Sequence, residues 1–161
     1  MDHYRATIAW VRNGAAFTDH RYSRSHHWYF DGGVKVPASA SPEVVPVPLS
    51  NAAAVDPEEA FVASLSSCHM LWFLSIAASH GFVVEDYRDT AEGVLDEDES
   101  GRTAITEVTL RPEVSYLNSA APEAREDTEL HEKAHDNCFI AHSVRTVVHV
   151  EPTIIKVDAE P

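Results

Sequence analysis

The first residues alternate between apolar and polar. Tyr4, Ala6, Ile8 and Trp10 share one face and Arg5, Thr7 and Arg12 lie among the others, which predicts a half-buried strand over residues 3–12. Asn13-Gly14 and the run Thr18 to His20 read as turn, and Trp28, Phe30, Gly32-Gly33, Val34 and Val36 predict further strands that pair with the first in a meander. Five of the nine prolines lie between Pro37 and Pro57. Each fixes φ and removes a ladder donor, so an extended connection is expected there.

The period then changes. Asp56-Pro57-Glu58-Glu59 supplies a capping carboxylate, a proline suited to the first helical position and negative charge at the positive end of the helix dipole. A helix is predicted from there to about Ser79, stopped by His80-Gly81. Its stripe Phe61, Leu65, Cys68, Trp72, Ile76 has 4-3-4-4 spacing, and Val62, Met70, Phe73, Leu74 and Ala77 make other faces apolar, so a central helix covered on most sides is expected. It is long enough to cross a bilayer, but Ser64, Ser66, Ser67, His69, Ser75 and Ser79 would be poorly satisfied in hydrocarbon, and no membrane association is expected.

Phe82 to Leu95 and Ala104 to Arg111 read as two strands joined through the acidic hairpin end 96–101. A second helix, mostly polar and hence peripheral, is expected from Ser119 to Pro122 through about Asn137, with closing strands at Val144 to Val150 and Thr153 to Val157. This order implies an α+β fold with helices on mainly antiparallel sheet. One domain is expected over 1–161: the meander 1–36, the proline-rich connection 37–57 and a helix–sheet core 58–161. Trp10, Trp28, Phe30 and Trp72 offer more aromatic surface than so small a core needs, which a homodimer would bury.

Composition narrows the function. The chain's 161 residues are 44% hydrophobic and 24% charged, as in folded globular proteins. With 12 Lys+Arg against 26 Asp+Glu the formal charge is −14, so binding to a phosphate backbone gains nothing from counterion release and nucleic acid is set aside. Met1 to Arg5 lacks the basic and apolar stretches of a secretory signal, and a cytoplasmic location is expected. The two cysteines, Cys68 and Cys138, are too few for a disulfide scaffold and would rest reduced.

Their placement suggests chemistry. Ser66-Ser67-Cys68-His69 is unusually polar for a buried helical turn, while Cys138 directly follows the second helix. One rigid thiol and one at a mobile edge is what an attack-and-resolve pair requires. Two rival readings stand beside it. His131, His135 and Cys138 at i, i+4 and i+7 share a helix face and with Cys68 would complete a zinc tetrahedron. The chain would otherwise be a non-enzymatic dimer that binds an apolar ligand.

The segment Asp56-Pro57-Glu58-Glu59-Ala60-Phe61-Val62-Ala63-Ser64-Leu65-Ser66-Ser67-Cys68 is similar to the N/D-P-E-x-x-x-x-A-x-x-x-x-C helix of the OsmC/Ohr hydroperoxide reductases, and His131 to Val144, with His135 and Cys138, resembles that family's second-cysteine motif. Phe139 stands where many members have proline. The resemblance covers nearly the whole chain. It implies an OsmC-like fold, a long central helix wrapped by mainly antiparallel sheets in an intertwined homodimer. It also implies a thiol-dependent peroxidase that reduces organic hydroperoxides through a Cys68 sulfenic acid and a Cys68–Cys138 disulfide. Cys68 would then be peroxidatic and Cys138 resolving, with Glu58 and Arg24 as the activating pair and Arg21 the alternative arginine. The reductant would be an external dithiol of lipoyl type, with no cofactor or metal. Phe61, Leu65, Met70, Trp72 and Phe139 are candidates to line an apolar entrance for the substrate.

Glu58 and Cys68 are ten positions apart, about 15 Å along an unbroken helix, beyond the reach of a glutamate side chain. Either the helix begins well after Glu58 or the Arg24–Glu58 pair serves the cysteine of the other subunit. The second is favoured, because the meander and the proline-rich connection are well placed to embrace a partner.

Overall fold

The computed structural model describes residues 1–158, which fall into two compact units, Met1–Ala60 and the chain from Phe61 onward. In the first unit β1 (Ala6–Ala9), β2 (His26–Phe30) and β3 (Lys35–Ala38) form an antiparallel meander in which Trp28 lies opposite Ile8 on one side and Val36 on the other. The first strand is shorter than its alternation, because β2 offers only five residues to pair. Beyond it, Phe17 stacks on Tyr22 at 4.7 Å and Trp10 meets Tyr22 edge-on at 5.4 Å, which ties the long β1–β2 loop to itself.

The proline-rich connection is not extended. Its prolines start tight turns instead, as where Pro42 occupies the second position of a turn closed by Val44 N–H on the Ser41 carbonyl (3.1 Å). The chain then returns to β3, with Ala38 bridging Val55 and the Ser39 hydroxyl accepting Asn51 N–H at 2.9 Å.

Helix α1 runs unbroken from Pro57 to Ser79. It opens on a capping box, Glu59 N–H donating to Asp56 Oδ1 (2.8 Å) and Asp56 N–H to Glu59 Oε2 (3.3 Å). It ends in a Schellman motif, where Gly81 takes φ 81°, Phe82 N–H reaches the Ala77 carbonyl and Gly81 N–H the Ala78 carbonyl. The buried stripe is Leu65, His69, Phe73 and Ala77, not the 61-65-68-72-76 line that the apolar residues suggest. The helix is covered on that face alone within one chain: Ala63, Ser67, Leu71 and Ser75 are exposed, Leu71 to 61%.

Three long strands, each bent once, make two small sheets from one. The first is β4 (Val84–Asp89) continuing into β5 (Glu92–Glu97), where a single strand to Leu95 was expected. The second is β6 (Thr103–Leu110) into β7 (Pro112–Leu117), which extends past the expected end at Arg111. The third is β8 (Val147–Val150) into β9 (Thr153–Val157). The sheet orders are β4-β7-β9 and β5-β6-β8. Pro112 and Pro152 remove ladder donors at the bend. Arg111 clamps it, with ion pairs of 3.2 Å to both Glu92 and Glu151 and its N–H on Asp89 Oδ1 at 2.7 Å.

The β4–β7 and β5–β6 pairings are antiparallel, while β8 and β9 join their sheets in parallel. Parallel neighbours need a crossover. Helix α2 (Ala124–Asn137) lies in it, opened by a Glu123–Glu126 capping box and preceded by a short 3-10 turn at Asn118–Ala120. Leu130 and Ala134 pack with Phe73, Ala77, Val114 and Tyr116 in one core cluster; Leu65, Val108 and Leu110 form a second. The second helix is peripheral as its polarity implies, but it seats one face, Asp127, Leu130, His131 and Ala134, in the core. Over β5 the fit is close: a Cβ on Gly93 would stand 2.6 Å from Val62 Cγ2, so any other residue there would force the Val62 side chain to move.

Candidate active site

Cys68 sits near the middle of α1, part-exposed, on the flank of the buried stripe. Cys138 caps the C-terminal end of α2 and is 1% exposed. Both are free thiols, and Cys138 lies near enough to Cys68 to feel it. The turn after α2 holds Cys138 in place: its N–H donates to the His135 carbonyl, its carbonyl accepts His142 N–H, and its Sγ accepts Ala141 N–H at 3.4 Å. Burial and the neighbouring Cys68 push the Cys138 thiol up to about 11, partly offset by the Ala141 and Ile140 N–H groups. At neutral pH Cys138 is a protonated, enclosed thiol, and Cys68 is the one that solvent reaches.

Beside this pair lies a buried polar string that sequence reasoning did not assemble. Tyr116 Oη donates to Asp127 Oδ1 (2.6 Å), Asp127 Oδ2 stands 3.7 Å from His131 Nε2, and His131 Nδ1 hydrogen-bonds His69 Nε2 at 2.9 Å. Phe73 stacks on His131 with ring centroids 4.1 Å apart. Burial, with His135 adding to it, holds His69 down near 4; burial and then His69 hold His131 near 3, so both rings are neutral. Burial raises Asp127 above the usual carboxylate range against the pull of the Tyr116 hydrogen bond. The signal was in the sequence as polar residues on apolar stripes: His69 four positions from both Leu65 and Phe73, and Asp127 and His131 among Leu130 and Ala134. A histidine pair on a mostly polar helix reads as solvent-facing, and His131 is instead core.

That placement gives the zinc reading no support. Among the described residues no group of three or more His, Cys, Asp or Glu is arranged to hold a metal ion, and His131 spends its Nδ1 on His69.

The other expected site residues are placed as follows. Arg24, part-buried in the first unit, turns its guanidinium onto its own loop, donating to the His20 carbonyl (2.8 Å) and the Tyr22 carbonyl and lying 3.9 Å over the Tyr22 ring. Arg21 is exposed. Glu58 is in the first turn of α1, where its Oε2 is buried with no hydrogen-bond partner among the described residues, and the Arg24 guanidinium is engaged elsewhere. Because α1 is continuous from Pro57, the alternative of a helix that starts after Glu58 does not hold. Leu65 is core, and Phe61 packs against its cluster. Met70 and Trp72 are part-buried, and Trp72 meets the exposed Phe139 edge-on at 5.5 Å, one residue beyond Cys138.

No curated protein matches the sequence. The family model for OsmC-like protein matches residues 50–153. An OsmC-like protein of unknown function from Vibrio cholerae is 54% identical, with a TM-score of 0.93 over 94% of this chain and 99% of that one. An organic hydroperoxide resistance protein OsmC from Legionella pneumophila, 20% identical, superposes with a TM-score of 0.66 over 96% of this chain and 98% of its own. The organic hydroperoxide resistance protein OhrB of Bacillus subtilis does so at 19% identity and a TM-score of 0.59, over 95% and 98%. At those two identities the likeness speaks for the fold. The match from residue 50 to 153, both cysteines inside it, and the Vibrio cholerae relative at 54% identity together mean that this chain belongs to the OsmC-like family.

Proposed function

We propose that the protein is a thiol peroxidase that reduces organic hydroperoxides. The observation that carries this reading is the asymmetry of the reduced pair: an accessible Cys68 beside an enclosed, protonated Cys138. Cys68, as thiolate, attacks the distal oxygen of ROOH; the O–O bond breaks, ROH leaves once protonated, and Cys68 becomes a sulfenic acid. Cys138 Sγ then attacks the Cys68 sulfur, its proton leaves with the hydroxyl as water, and a disulfide forms. An external dithiol takes over the oxidation, closing its own disulfide and returning two thiols. Names given to distant structural neighbours, organic hydroperoxide resistance proteins, support the substrate class.

Activation of Cys68 is assigned to Arg24 and Glu58 of the other subunit in a homodimer. An arginine within about 4 Å of a thiolate favours the anion by about 4 kcal/mol at an effective dielectric near 20, before desolvation. The unpartnered Glu58 oxygen and the exposed Leu71 face of α1 support an assembly larger than one chain. Steady-state reduction of cumene hydroperoxide and of hydrogen peroxide, each with lipoamide and with thioredoxin as reductant, tests the reading. Faster turnover of cumene hydroperoxide with lipoamide is expected. No turnover of either peroxide with either reductant overturns it.

A further inference from the structure

We infer that His69 and His131 are positioning residues for disulfide formation: their buried hydrogen bond fixes α2 on α1 so that Cys138 stays in reach of Cys68. The inference rests on reading the two cysteines as the redox pair. On α1, His69 directly follows Cys68, and on α2, His131 lies seven residues before Cys138, two turns away on nearly the same face. The same two helices thus carry both pairs, the imidazoles joined at 2.9 Å and the two thiols near one another. Two such points set both how far α2 slides along α1 and how it is rotated.

The apolar neighbours cannot do this alone. Leu130 and Ala134 hold α2 to Phe73, Ala77 and Tyr116 by packing, which tolerates small shifts, whereas a hydrogen bond between enclosed rings has a narrow range of distance and angle. The tautomers follow from the neighbours. Asp127 Oδ2 at 3.7 Å favours the proton on His131 Nε2, so His131 Nδ1 accepts and His69 Nε2–H donates. Tyr116, donating to Asp127 at 2.6 Å, keeps that carboxylate facing the ring. The Trp72–Phe139 contact, one turn along α1 from Cys68, adds no polar constraint.

The test uses the full chain in mixtures of oxidised and reduced dithiothreitol, a reaction that needs no peroxide. The two thiols give two hydrogens to the cyclic disulfide, the Cys68–Cys138 bond forms, and alkylation followed by mass measurement counts the thiols left. His131→Leu and His131→Asn are alike in size, and only Asn keeps an acceptor near the Nδ1 position. The equilibrium constant for the disulfide should fall about tenfold in His131→Leu, the size of one lost hydrogen bond, and stay within about threefold of the parent in His131→Asn. From α1, His69→Leu and His69→Gln should repeat that contrast, and this pair decides the matter if His131→Leu does not fold. A parent-like constant in the leucine variants, or equal loss in the leucine and amide variants, overturns the inference. A parent protein that forms no Cys68–Cys138 disulfide overturns the dithiol reading itself, whatever the variants do.

Discussion

Around Cys138 every group that bears on the thiol comes from the same unit of the chain: Ala141 N–H on the sulfur, His135 and His142 on its backbone, Cys68 beside it. Around Arg24 and Glu58 the chain makes no such closed set. The guanidinium is spent on carbonyls of its own loop, and a buried carboxylate oxygen has nothing to accept. A buried carboxylate oxygen without a partner is costly, so Glu58 Oε2 is an atom that an additional subunit would satisfy. The contrast separates the two halves of the proposed reaction: on that proposal resolution would be complete within one chain, and activation would wait for a partner.

Removing either thiol tests the first half and carries the largest effect. Cys68→Ser should abolish turnover, because a serine hydroxyl is far less ionised and a poor nucleophile toward an O–O bond. Cys138→Ser should consume about one equivalent of peroxide and then stall or over-oxidise. Peroxide consumed per subunit in a single turnover distinguishes them, and equal loss in both would end the division of labour between the cysteines.

The second half is probed at the arginine. Arg24→Met should slow peroxide reduction at neutral pH about ten- to a hundredfold and move the pH profile of alkylation at Cys68 upward. Such a shift in Arg21→Met and not in Arg24→Met would transfer the role. Mixing Cys68→Ser with Arg24→Met chains then asks which subunit supplies it. If sites are shared, half the dimers are mixed and each holds one complete site, so roughly a quarter of parental activity should return. No recovery despite demonstrated subunit exchange would place all the groups of a site in one chain.

The difference between the two regions also explains what the sequence made legible. Helix α1 and its start were readable from Asp56-Pro57-Glu58-Glu59, because capping is local chemistry, and the cysteines from a motif of fixed spacing. The bend that divides the first two long strands was not readable. It depends on Arg111 meeting Glu92 and Glu151, residues 19 and 40 positions away. Hydropathy alone ranks His69 and Asp127 below Trp72 and Ile76 as core, and only tertiary partners reverse that order. The proline-rich stretch went astray for a related reason: proline fixes φ for a turn as readily as for an extended run, and the following residues decide.

Acid should reach the resolving region by a distinct route. In the unfolded chain His69 takes up a proton near 6.5, but in the folded protein not until about 4, and His131 not until about 3. The unfolded state therefore binds more protons between those values. Stability from the neutral pair is full above pH 6.5, falls as pH drops through the window, and levels off below it; His69 alone contributes on the order of 3 kcal/mol. Asp127, raised by burial, works in the opposite sense at the acid end, while His135 adds like charge near His69. Urea midpoints should drop between pH 7 and pH 5 in the parent and much less in a His69→Gln/His131→Asn double variant. The same drop in both would locate the acid sensitivity elsewhere.

The smallest effect concerns the entrance rather than either pair. Phe139 follows Cys138 directly, is 68% exposed and meets Trp72 edge-on at 5.5 Å, so its ring supplies apolar surface beside the thiols without being part of the core. An edge-to-face aromatic pair is worth about 0.5–1.5 kcal/mol beyond its area, and an exposed ring recovers only part of that when a substrate covers it. Phe139→Ala should therefore lower kcat/KM for cumene hydroperoxide between about two- and tenfold. Hydrogen peroxide has no apolar group to cover the ring, so its kcat/KM should not change. A loss of equal size for both peroxides would mean that Phe139 acts on the position of Cys138 instead, through the turn in which its carbonyl accepts the Ser143 hydroxyl at 2.7 Å. That outcome would move Phe139 from the recognition of substrate to the resolving half of the site.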